Sequence, residues 1–547
     1  MTKKWIRQLL PIGVLMLLSV VIILPYFYKG FFPSHDGEWA VVRLSEMFRE
    51  IRDAQFPARY STYLNFGHGY PLFNFAYPFP YYLGLPFVLS GFGYVNTIKL
   101  IFASTVPVSA LGMYFVGKRL WENTFAAFIA SILFIFVPYR FLDLYVRGSI
   151  GESIAFAIVP WLLFSGLKIS EKKNAFWIGI FALLLAALLT AHNIMGLYFA
   201  PIVLTLISIK WVTEKNANWR SLATSTILGA SAAAFFIFPA LYEKQFIYLA
   251  EIPIADRSLY WVQPQDLLFS PWGYGTPTEN DAFTYQIGYA SIAALLLAGV
   301  ILVKRMIRRE QVKKDLFALA VLTTSLFLIF MMFSPSAILW ENLPLLKEIN
   351  YPWTLLGPLT FLAALAGGYT LKHAKWQRVL SIAFILLAIG TTLSYANPKE
   401  YVDRGEGYYT TNDATTTSSR EYTPLWVKEL PLTRPEKGAE IVRGEGEVSV
   451  TSHKSNEIII NYTGTENSLI RINTIYYPGW RIDSANGELF PGFDNPRGLM
   501  EFEASGKGTV RAFLKEPPYR QVANLITLVA IITSILFLIK GVYQWKK

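Results

Sequence analysis

The sequence predicts an α-helical membrane protein of about 12 spans, with a β-sandwich outside the membrane near its C-terminus. The first observation is apolar content: of 547 residues 53% are hydrophobic and only 16% charged, and the mean hydropathy is +0.36. The second is segmentation. Apolar runs recur at Leu9–Tyr28, Asn123–Tyr139, Ala175–Ala191, Leu222–Leu241, Ala282–Val303, Leu316–Phe333 and Val522–Ile539. Each approaches the ~20 residues that cross a hydrocarbon core as a helix. Lipid offers backbone amides no partner, so such runs must be helical. The third is a change of pattern over 397–519, where acidic residues outnumber basic ones and alternating runs replace long apolar ones.

Taken in order, the chain opens on a basic stretch, Met1–Arg7, and a long apolar run that ends in Pro25–Lys29 without a small-x-small cleavage site. This reads as a retained anchor. Basic residues then fall in short loops, at Lys118/Arg119, Lys168/Lys172/Lys173, Lys210/Lys215/Arg220, Lys304–Lys314, Lys372/Lys375/Arg378 and Lys546/Lys547. Placing them all in the cytoplasm puts both termini inside and sends 29–94, 140–152, 243–281, 334–353 and 397–519 to the outer face. The formal charge of +11 is then a property of one membrane face, and no nucleic-acid partner is expected. Within the first outer loop, 71–94 carries too many prolines and tyrosines for a straight span and reads as interfacial or re-entrant.

Over 397–519, the runs Glu457–Tyr462, Ser468–Ile475 and Thr509–Leu514 alternate as strands, separated by turns at Gly444–Gly446, Pro478–Gly479 and Ser505–Gly508. The expected domains are a multi-spanning part, 1–396, a β-rich domain, 397–519, and a final helix with a basic tail, 520–547. There is no cysteine, which removes disulfides, thiolate metal sites and cysteine nucleophiles. No P-loop, GxSxG or HExxH pattern is present.

Chemistry concentrates where the chain leaves the lipid. Ser34–Trp39 brings His35, Asp36 and Glu38 to the water boundary, followed by Trp39–Arg52, whose apolar positions recur at helical spacing. Arg43, Glu46, Arg49 and Glu50 fall on the other side, as in an amphipathic helix lying on a membrane. Asp36 is either a reactive carboxylate or the cap of that helix. The second outer loop holds Arg140, Asp143, Arg147 and Glu152. An arginine at that depth must pair or bind an anion, so the two acids are either its partners or catalytic groups. His192 ends a span, and 251–281 is rich in aromatic and acidic residues, including Tyr260, Trp261, Asp266, Trp272, Tyr274 and Asp281. Such rings are belt residues or stack on a sugar.

Several short motifs carry a resemblance: His35-Asp36-Gly-Glu38, Gly67-His-Gly-Tyr-Pro71 with Tyr77-Pro78, Tyr145-Val-Arg147-Gly with Glu152, and Tyr476-Tyr-Pro-Gly-Trp480. With them the chain resembles the GT-C glycosyltransferase superfamily. Within it, the chain is more similar to the YfhO-like and 6-pyruvoyl-tetrahydropterin-synthase-related membrane proteins, although no three-histidine zinc pattern is visible. The resemblance implies transfer of a sugar from a polyprenyl-phosphate donor to a glycan, lipid or protein acceptor on the outer face of the cell membrane. It implies Asp36 as base toward the acceptor hydroxyl, directly or through a divalent cation, with Glu38, Asp143 and Glu152 as further acids. Arg147 would steady the lipid phosphate, and His35, Arg59, His68, His192, Arg257 and Trp272 would line the substrate site. Where relatives carry Arg after an aromatic-Pro-aromatic step, Tyr351-Pro-Trp353 is followed here by Thr354, so Arg257 or Lys347 would stand in for that charge. The other implied class is a transporter or assembly factor for surface polysaccharide.

Overall fold

The computed structural model describes residues 2–546 apart from 172–173, 252–253, 278–281, 309–311, 348, 418–419 and 485–486. Lys172, Lys173, Asp281, Arg309 and Lys547, singled out above, lie outside the described residues. Among the described residues, eight helices are long and apolar enough to span a membrane, from Leu9–Phe27 to Pro518–Gln544. Three pairs of helices bent by 44°, 61° and 94° at a short break raise the number to 11 if each pair is one span. The region 71–94 forms the short helices Leu72–Phe75 and Phe79–Leu89. At ~1.5 Å rise per residue neither reaches across a bilayer.

The helices pack around Pro352–His373, buried from Pro352 to Leu371, and Ile150–Ile169, nearly so. Small residues set the approach. A Cβ on Gly117 would lie 2.5 Å from Ala127 Cα, and one on Gly368 would strike the Trp121 ring. At one end of the bundle the basic loops gather: Arg119 pairs with Glu171 at 3.5 Å and Glu214 at 3.3 Å, and Lys372 donates to the Trp121 carbonyl at 2.9 Å. At the other end stand the loops bearing His35–Glu38 and Arg147–Glu152, together with the sheet.

Six strands, β1 (Ala439–Arg443), β2 (Gly446–Lys454), β3 (Glu457–Ile475), β4 (Trp480–Ser484), β5 (Gly487–Leu489) and β6 (Leu499–Leu514), make one antiparallel sheet. Its path is β1-β3-β6-β4-β5, with β2 also paired to β3. The expected sandwich is therefore realised as a single sheet. Alternation buries one face (Ile458, Ile460, Ile470, Ile472, Met500, Val510), and that face packs on Tyr60, Phe75 and Ile247 of the membrane part instead of on a second sheet.

The Tyr476–Trp480 motif makes the joint. Trp480 is fully buried edge-on to Tyr60, at 5.6 Å and 86°. Tyr477 donates its hydroxyl to Glu243 Oε2 at 2.8 Å, Arg520 holds both oxygens of Glu243 at 2.5 and 2.8 Å, and Asn74 adds a bond at 2.9 Å. Glu243 and Arg520 are both at 0% exposure, so losing one partner strands a buried charge. Glu243→Ala is expected to destabilise the protein by ~3–5 kcal/mol, read as a fall in unfolding midpoint in detergent. A change below ~1 kcal/mol would show that the joint rests on Trp480 packing alone.

The helix Gly37–Arg52 forms as its periodicity predicts, but its polar face does not meet water. Arg43, Glu46 and Glu50 are all buried. Residues 404–416 lie along that face: Arg43 Nε donates to Thr416 Oγ1 at 3.0 Å, Arg49 to the Thr410 carbonyl at 3.0 Å, and Arg404 pairs with Glu38 at 3.0 Å. Desolvation pushes the carboxyl of Glu46 up to about 7 and that of Glu50 well above its ordinary range. A surface amphipathic helix is corrected here to one covered on both faces. The covering segment is more than 300 residues away in sequence, beyond the reach of local periodicity.

Candidate active site

Backbone pairing builds the site. His35 N–H donates to the Val146 carbonyl at 3.0 Å and Asp36 N–H to the Arg147 carbonyl at 2.8 Å, so the two loops run side by side. The approach needs Gly148, which has φ +63° and whose Cβ would lie 2.7 Å from Gly37 N. Gly148→Ala is expected to part the loops and cut activity at least tenfold without removing any polar group. Unchanged activity in that variant would show that the pairing does not position Asp36.

Asp36 occupies the N-cap position of Gly37–Arg52, yet its side chain makes no capping bond. Ser34 Oγ accepts from Gly37 N–H at 3.2 Å instead, and the Asp36 carbonyl takes the first helical bond, from Ala40, at 3.0 Å. Between the two readings left open by the sequence, the structure leaves the carboxylate unspent: among the described residues it has no hydrogen bond or ion pair. It is half-buried. Desolvation raises its pKa above the ordinary value, against the opposing pull of Arg147, Arg43 and His35.

Arg147 faces it, held from behind. Its Nη1 lies 2.5 Å from Glu152 Oε1 and 3.8 Å from Asp143 Oδ1, and donates to the Tyr139 hydroxyl at 3.4 Å. The guanidinium stacks over Trp353 at 4.8 Å and is 12% exposed. Glu152 also accepts from Tyr139 at 2.8 Å and lies 3.7 Å from His192 Nε2; Asp143 accepts from Ser153 at 2.6 Å. Both acids are at 0% exposure. Arg140, fully buried, lies 3.9 Å from Asp143 and completes a balanced set of two arginines and two acids.

Of the residues picked from sequence, His35, Asp36, Asp143, Arg147, Glu152 and His192 come together. His35 Nε2 donates to the Gly275 carbonyl at 3.1 Å, and His192 caps the following helix by accepting from Met195 N–H at 3.3 Å. The others are placed elsewhere. Glu38 is taken by Arg404 and by Tyr409, at 3.1 Å. Arg59 is buried on Glu516 at 3.2 Å, the Phe235 carbonyl at 2.8 Å and Asn524 at 3.0 Å. His68 meets the sheet, its carbonyl accepting from Ile475 N–H at 2.8 Å. Trp272 stacks on Tyr395 at 4.2 Å. Arg257 is spent on the carbonyls of Leu346, Lys347 and Ile349, and Lys347 points to solvent. The guanidinium against the Tyr351–Trp353 turn is that of Arg147, while Thr354 bonds Tyr198 at 3.1 Å.

Sequence reasoning passed over Arg43 as a site neighbour. It lies among Tyr70, Tyr77, Tyr81 and Tyr422 and acts on Asp36 through space. Only its i+7 spacing from Asp36 on one helix end could have signalled it. Among the described residues no three His, Asp or Glu side chains converge as a set of metal ligands.

Residues 73–398 match the family described as the 6-pyruvoyl-tetrahydropterin synthase related domain, a membrane protein family. The chain belongs to that family. The matched segment includes Asp143, Arg147, Glu152, His192 and Trp353, and leaves Asp36 and the sheet outside. Membership makes the chain a multi-pass membrane protein, in keeping with its spans. No curated protein matches it. Among solved structures, it is similar to the apo oligosaccharyltransferase of Archaeoglobus fulgidus (12% identity, TM-score 0.47, 75% of this chain and 57% of that one). It is also similar to that organism's oligosaccharyltransferase AglB bound to an inhibitory peptide and a dolichol-phosphate (12%, 0.44, 75% and 57%). The mycobacterial arabinofuranosyltransferase AftD is a further neighbour (17%, 0.45, 73% and 28%). The family member thus spans just over half the length of the oligosaccharyltransferases. Likeness at these scores carries no functional weight.

Proposed function

We propose that this family member is a membrane glycosyltransferase that moves a sugar from a polyprenyl-phosphate donor to an acceptor hydroxyl at the sheet-bearing end of the bundle, outside the cytoplasm. The observation that carries this reading is the unspent Asp36 carboxylate, fixed by backbone bonds beside Arg147. The reaction needs a base where the acceptor loses its proton and a cation where the phosphate gathers charge. Asp36 and Arg147 supply one of each.

In the proposed step the acceptor oxygen bonds to the anomeric carbon as the bond from that carbon to the phosphate oxygen breaks. The acceptor proton passes to Asp36, and the electron pair leaves on polyprenyl phosphate, met by Arg147. Asp143 and Glu152, wholly buried and bonded, are positioning residues that hold Arg147 in place. The basic loops then face the cytoplasm together with both termini, as the positive-inside rule has it. Tyr351, part-buried and 5.8 Å from Trp353, offers a ring to the sugar beside the guanidinium.

The test uses purified protein in nanodiscs, supplied with a panel of radiolabelled polyprenyl-phosphate sugars and cell-envelope extract as acceptor. Release of polyprenyl phosphate with gain of label in the extract supports transfer and names the donor. Donor that binds and is translocated unchanged would point to a transporter.

A further inference from the structure

The first span, Leu9–Phe27, and the helix Tyr94–Trp121 end together beneath residues 403–409. Between them lies a cleft of about 630 Å³, whose lining includes neither Asp36 nor Arg147. One wall is apolar and faces lipid: Phe92 is 50% and Leu100 37% exposed. The other carries Lys29, Lys99 and Arg404. Lys99 sits five residues into its helix, ~8 Å below the helix start, which is headgroup depth.

Among the described residues Lys99 makes no direct ion pair in this cleft, although its cations and carboxylates, Glu38 included, are equal in number. Lys99 is buried, and its ammonium donates to the carbonyls of Tyr28 and, at 3.0 Å, Gly30. It has no carboxylate partner among the described residues, because both nearby acids are engaged. Asp403 pairs with Lys29 at 2.7 Å. Glu406 accepts from Tyr94 N–H at 2.9 Å and Val95 N–H at 3.1 Å, capping the helix. Arg404 is committed to Glu38. Lys99 feels only the longer-range pull of Asp403, itself paired with Lys29, so one N–H of its ammonium is left to meet an anion at the bilayer edge.

We propose that this cleft binds a phosphate-bearing membrane lipid, with Lys99 meeting the phosphate, Lys29 at the solvent side, and the lipid chain lying along Phe92 and Leu100. The chemistry fits the phosphate of a glycerophospholipid and that of a polyprenyl phosphate. The site stands apart from Asp36 and does not depend on sugar transfer.

The test is lipid retention by the full-length protein, followed by native mass spectrometry in detergent after addition of phosphatidylglycerol, undecaprenyl phosphate or phosphate-free diacylglycerol. The wild type is expected to retain phosphate lipids over diacylglycerol, and the better-retained probe identifies the source. Lys99→Met should lower retention by about tenfold and Lys99→Arg should keep it. Phe92→Glu, at an exposed wall position, should also eject the lipid by placing a like charge in the cleft. Equal retention of diacylglycerol, or retention unchanged in both Lys99→Met and Phe92→Glu, would overturn the site. Retention is read without any transfer assay, so its failure and that of the glycosyltransferase reading are separable.

Discussion

Asp36→Asn is expected to lower sugar transfer by about 10²–10⁴-fold while the protein stays folded. The amide keeps the shape of the side chain and removes its charge and basicity. Folding should tolerate the change because the carboxylate spends nothing on structure: Ser34 does the capping, and the backbone of Asp36 holds the loop pairing. Transfer within threefold of wild type would remove Asp36 from the chemistry. The pH profile offers a second readout. Desolvation raises the carboxyl above its ordinary value, so the acid limb of kcat/KM should lie above that of an ordinary aspartate, and activity should fall as pH drops through it.

Arg147→Ala has the other large effect. Arg147 lowers the pKa of Asp36, so its removal should shift the acid limb to higher pH. It should also weaken donor binding more than acceptor binding and cost about 10²–10³-fold in turnover, as loss of a preorganised charge does. Some instability will accompany this, since Glu152 and Asp143 lose their cation. The split between donor and acceptor affinity separates the roles, because a purely structural arginine would lower the amount of folded enzyme without favouring either substrate, while the limb reports its pull on Asp36. Equal loss of donor and acceptor affinity with an unmoved limb would make Arg147 structural.

Much of the fold was legible because hydropathy and charge are local properties. The apolar spans, the short aromatic-proline piece at 71–94 and the alternating runs of the C-terminal part follow from period and composition. However, β3 joins Glu457–Tyr462 and Ser468–Ile475 into one strand, and β6 runs straight through the turn expected at Ser505–Gly508. What covers a surface is not local. The polar face of Gly37–Arg52 reads as solvated, yet Thr416 covers Arg43 from 373 positions away. Alternation in β3 and β6 marks one buried face but cannot say whether a second sheet or membrane loops bury it, and here Tyr60, Phe75 and Ile247 do. The site divides likewise. Asp36, Arg147 and Glu152 stood out as charges near lipid, whereas Arg257 stood out only as a stand-in for an expected arginine and is consumed by three carbonyls. Composition cannot tell a paired charge from a free one.

The decisive measurement is single-turnover transfer from a radiolabelled polyprenyl-phosphate sugar, comparing wild type with Asp36→Asn at saturating donor, with bound donor counted directly. Equal donor binding with release of polyprenyl phosphate at least about 100-fold slower in the variant is the expected result. Equal release by both proteins, or bound donor that the wild type leaves intact in the presence of acceptor extract, would contradict the assignment of sugar transfer to the Asp36–Arg147 site.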